Sequence, residues 1–72
     1  MISKEVIAQR RKFYLQEFKI ELKNARDYLN ANADSWKEEN EIAYMEFLNR
    51  AQTYMDKAEA MEELLQIETF TA

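Results

Sequence analysis

Apolar residues in the first part of this chain recur at helical intervals. Leu15, Phe18, Leu22, Ala25 and Leu29 are spaced by 3, 4, 3 and 4 positions, which places them on one helix face, and Ile7 and Tyr14 widen that face. Ser3 is a favourable N-cap, Glu5 falls in the positive first turn, and Ile2 and Ile7 have the spacing of a hydrophobic staple. These signals predict a first helix over about residues 4–30. The pattern fades across Asn30-Ala31-Asn32-Ala33-Asp34-Ser35, where short polar side chains bond to nearby backbone and compete with helix, so the turn is expected at about 31–35. Ser35-Trp36-Lys37-Glu38 has the form of a capping box and predicts a second helix over about 36–68. On that helix Tyr44, Leu48, Ala51, Met55, Ala58 and Leu65 share one seam, flanked by Phe47, Tyr54 and Met61 on the side of Trp36 and Ala43.

The expected fold is therefore all-α: one domain over residues 1–72, folded as an antiparallel two-helix hairpin. A turn centred near residue 33 pairs positions whose numbers total about 66, setting Leu15 against Ala51, Phe18 against Leu48 and Ala25 near Tyr44. The same register predicts charge pairs of Arg10 with Asp56, Lys4 with Glu62 and Glu63, Lys19 with Glu46, Lys23 and Arg26 with Glu39 and Glu41, and Arg50 with Glu17. Trp36 is expected to cap the turn end against Leu29, and residues 69–72 to fray. With no Gly or Pro at the turn, the two helices could instead fuse and exchange with a second chain.

Composition sharpens this picture. The chain has 72 residues with no Gly, Pro, Cys or His, so neither disulfides nor the usual zinc ligands can reinforce a core of this size. Oligomerisation is the remaining source of stability, and the expected assembly is a homodimeric four-helix bundle. The longest apolar runs are far too short for a membrane span, and Met-Ile-Ser-Lys-Glu lacks the plan of a signal peptide, so a cytoplasmic location is expected. The net charge of −4 is the sum of two opposite halves: seven basic and four acidic residues in 1–30, three basic and ten acidic in 31–72.

Candidate chemistry is sparse. Without His or Cys the common metal, haem and nucleophile constellations are missing, and no Gly-rich loop could cradle a phosphate. Glu38-Glu39-Glu41 and Glu59-Glu62-Glu63 read as solvated acidic faces, because a helical di-iron site requires Glu-x-x-His. No enzymatic activity, cofactor or small-molecule substrate is expected. Val6, Phe13 and Ile20 recur every seven residues, roughly opposite the core seam, and Ile42 and Met45 also lie off the seam of the second helix. The second helix is expected to overhang the first, leaving Leu64, Ile67 and Phe70 uncovered. Val6, Phe13, Ile20, Leu64 and Ile67 are thus the candidate protein-binding residues of a helical regulator, inhibitor or assembly adaptor. The alternative is a nucleic-acid interface at Arg10, Arg11 and Lys12, followed by Phe13 and Tyr14. In outline, without a shared motif, a basic helix, a short turn and an acidic helix resemble the Rop type of plasmid regulator, and that resemblance implies a dimeric hairpin that binds RNA.

Overall fold

The computed structural model describes residues 3–67 and consists of two helices packed side by side, α1 (Lys4–Asn32) and α2 (Glu38–Gln66), joined by a short 3-10 turn (Ala33–Ser35). Each helix has 29 residues, and the hairpin measures 57 × 15 × 15 Å. Ile2, Phe70 and the expected frayed tail lie outside the described residues. Helix α1 starts where its cap dictates: Ser3 is extended, and its hydroxyl accepts the Val6 N–H at 3.2 Å, satisfying one of the free donors of the first turn.

The turn lies later than the sequence pattern predicts. Helix α1 continues to Asn32, whose side-chain amide donates to the Tyr28 carbonyl at 2.9 Å, and then tightens directly into the 3-10 turn. Trp36 (φ −63°, ψ 127°) and Lys37 (φ −128°, ψ 170°) are extended and reverse the chain. Among the described residues no backbone φ is positive, which is how a chain without glycine makes this turn. Two extended residues between the helices also separate them into a hairpin, in place of the fused helix that the missing breakers left open.

The cap of α2 differs from the expected capping box at Ser35. Lys37 is the N-cap, and its N–H donates to Asn40 Oδ1 at 2.9 Å. Asn40 also donates through Nδ2 to the Tyr28 hydroxyl at 2.9 Å, so one side chain closes the cap and ties the turn to α1. Trp36, in the loop and not on α2, meets Tyr28 and Tyr44 edge-on at 6.0 and 5.9 Å. Its aromatic neighbours are these two rings, and Leu29, expected beside it, is 37% exposed.

Moving the turn from about 33 to about 35 shifts the register by roughly one helical turn. Tyr14 stacks on Tyr54, and the ion pairs are Arg11 with Glu62 (2.7 Å) and Arg50 with Glu21 (2.9 Å). None of the expected charge pairs forms among the described residues; Arg50, for example, reaches Glu21, one turn beyond Glu17. Leu15 shares a hollow with Met55 and Ala58 in place of Ala51, whereas Ala25 does lie beside Tyr44. The later turn also removes the overhang: the two helices are equally long, and α2 ends at Gln66, level with the start of α1.

The core between the helices is thin. Among the described residues only Ile7, Ala25, Ala51 and Ala58 are fully buried, and three of these are alanines, which let the helix axes approach closely while contributing little buried area.

Candidate interaction surfaces

The two long sides of the hairpin differ in chemistry. One is aromatic and closed by cations. Tyr14 and Tyr54 stack at 6.4 Å, Tyr28 and Phe47 meet at 5.7 Å, Lys57 Nζ lies 5.7 and 5.8 Å from the two stacked rings, and Arg50 covers Phe47 at 4.8 Å. Arg50 simultaneously binds Glu21, whose side chain is only 15% exposed. Cation–π contacts and a shielded ion pair thus seal this edge.

The opposite side is aliphatic and only half-buried. Leu15 and Met55 line one shallow hollow beneath the Arg11–Glu62 pair, and Leu22, Leu29, Tyr44 and Leu48 line the next one along the same side. Leu15, Leu22 and Leu29 are seven residues apart, as are Leu48 and Met55, so each set forms a straight row on its helix. None of the five is fully buried. Sequence reasoning assigned these leucines to the interior of the hairpin; two helices alone cannot cover them.

The stripe on the back of α1 is as expected in its exposure. Val6, Phe13 and Ile20 are 39%, 52% and 49% exposed, and Phe13 touches only the edge of Tyr14 among the aromatic rings. Ile67 is 43% exposed, whereas Leu64 is half-buried because α2 does not overhang α1. Ile42 and Met45 stand exposed among Glu38, Glu41 and Glu46 on the outer surface of α2. The five expected protein-binding residues therefore do not form one continuous patch: the α1 stripe runs along the back of one helix, and Leu64 and Ile67 lie at the open end of the hairpin.

The basic triplet is not gathered into one site. Successive helical residues are rotated by about 100°, so Arg11 faces the groove, where Glu62 holds it, and Arg10 and Lys12 lie exposed on its two flanks. Among the described residues no group of three or more acidic side chains is placed to hold a metal ion, and no helix is long and apolar enough to cross a membrane. Tyr28 and Asn40 are a structural pair that sequence reasoning missed, joined by the hydrogen bond that ties the turn to α1. Tyr28 continues the row Ile7, Tyr14, Glu21 at seven-residue intervals, a row disguised by the acidic residue within it. No family model, curated protein or solved structure matches this chain, so the outline likeness to Rop has no counterpart there.

Proposed function

We propose that this chain is a non-enzymatic, cytoplasmic interaction module that pairs through its open aliphatic side into a homodimeric four-helix bundle and acts as a regulator, inhibitor or adaptor by occluding or bridging a partner protein. The observation that carries this reading is the row of Leu15, Leu22, Leu48 and Met55, each only half-buried, with Leu29 exposed, beside a core whose fully buried residues among those described are one isoleucine and three alanines. Rows of large aliphatics beside a thin core are the arrangement from which helical bundles are built. The stripe of Val6, Phe13 and Ile20 remains outside such a bundle and supports engagement of a second protein by helix-face packing. The split basic triplet and the Arg11–Glu62 pair weigh against a nucleic-acid interface.

Sedimentation equilibrium at micromolar concentration tests the pairing. The native chain is expected to be a dimer, and Leu22→Glu to yield monomers with reduced helicity, because a charge would stand where an apolar contact is needed. A stably folded monomer, unaffected by Leu22→Glu, would falsify the reading.

A further inference from the structure

Two hairpins can stack their aliphatic sides in two symmetric ways. With the two-fold axis parallel to the helices, both turns lie at the same end, and α1 of each subunit packs against α2 of the other. With the axis across the helices, the turns lie at opposite ends, and α1 packs on α1 and α2 on α2. The rims of the groove distinguish these arrangements. Lys12, Lys19 and Arg26 precede Leu15, Leu22 and Leu29 by three positions and flank the groove along α1. Glu59, with the already paired Glu62, flanks it along α2, and Glu41, five helical turns before Glu59, shares the angular position of Glu59 on that helix. Packing α1 on α1 would set like-charged rims against each other; packing α1 on α2 sets basic against acidic.

We infer that the second copy seats on this groove with both turns at the same end, so that every helix contacts antiparallel neighbours of opposite charge. The inference rests on the dimer proposed above and adds its orientation. A two-fold axis parallel to the helices preserves height along the bundle, so the register within one hairpin also applies between subunits. Lys12 then lies level with Glu59 of the partner subunit, and Arg26 about one helical turn from the level of Glu41 of the partner subunit, within reach of its long side chain. The face is large enough: helices about 43 Å long and roughly 20 Å across the pair present on the order of 800 Å², the size that a stable dimer buries on each partner.

The chain has no cysteine, so Ser35→Cys, at an exposed turn position, accepts one spin label per subunit. Pulsed dipolar spectroscopy should give a label separation of about 20–30 Å, set by adjacent helices and the label arms. Lys12→Glu should weaken the dimer about tenfold by reversing two symmetry-related pairs, and Glu59→Lys in the same chain should restore it. A dimer with a label separation beyond about 45 Å, near the length of one helix, overturns this orientation while leaving the dimer intact. So does a dimer whose affinity responds to neither charge change. A monomer in sedimentation overturns orientation and dimer together.

Discussion

Asn40 joins three parts of the molecule. Its carbonyl oxygen accepts the Lys37 N–H and its amide donates to the Tyr28 hydroxyl, so a single truncation removes both a helix cap and a link between the helices. Asn40→Ala is expected to cost about 1–2 kcal/mol, and Tyr28→Phe, which loses one bond while keeping the ring packing, about 0.5–1.5 kcal/mol. In a double-mutant cycle by urea denaturation at fixed protein concentration the two losses should not add, because they share a bond; strict additivity would show that the link is not energetically real. Arg50 is the second such residue. Replacing it with Met strands the shielded Glu21 carboxylate, so the expected cost of about 1–2 kcal/mol exceeds that of an exposed pair, and Glu21→Gln in the same chain should recover much of it. Neither residue stands out in the sequence, because Asn and Arg at polar positions of a helix are ordinary. Their roles arise from the register, which the sequence pattern placed one turn away.

At the scale of elements, the helices were legible because apolar spacing and propensity agree along both of them; 94% of the described residues are helical, and far-UV circular dichroism of the protein should show no strand component. The turn was legible to within two residues and the register was not, since an error of two residues in the turn centre moves every antiparallel pair by about four. Ser35 was the misleading signal: it offered a capping box, yet an extended Trp36 that packs its ring between Tyr28 and Tyr44 moves the cap to Lys37. Burial of a large aromatic outweighs the roughly 1 kcal/mol that a serine cap supplies. Ser35→Ala should accordingly change stability by less than about 0.5 kcal/mol, whereas a loss comparable to that of Asn40→Ala in thermal unfolding would return the cap to Ser35.

For the whole molecule, the charge split and the apolar rows assign different tasks to different sides. The aromatic edge carries its own cations, the aliphatic edge is the one proposed to seat a second copy, and the back of α1 carries Phe13 and Ile20 into solvent. The outer stripe was legible because a seven-residue recurrence opposite a seam cannot face the partner helix. That two helices cannot enclose their seams was legible too, but which leucines line the resulting groove was not, because that depends on the register. Phe13→Glu is expected to leave the helical signal and the dimer intact while weakening capture of a protein partner by tenfold or more, and Arg10→Glu to alter that capture little. Filter binding with RNA and DNA provides the opposing measurement. A complex tighter than about a micromolar near physiological ionic strength, steeply salt-dependent and lost on changing Arg10 and Lys12, would transfer the function to nucleic acid.

The reversal between α1 and α2 is made entirely with negative φ angles, and this bears on how the sequence can vary. A hairpin built on a left-handed residue has one position that only glycine or asparagine fills comfortably, and a change there breaks the fold. Here every backbone angle between Asn32 and Glu38 is open to ordinary amino acids, and the constraint passes to the side chains that grip the loop from outside. Saturation mutagenesis should therefore find Ala33, Asp34 and Ser35 permissive to nearly everything except proline, with the intolerant positions displaced to Tyr28, Trp36 and Asn40. Relatives of this chain would be found by an aromatic and an asparagine twelve residues apart, with the loop between them free to drift.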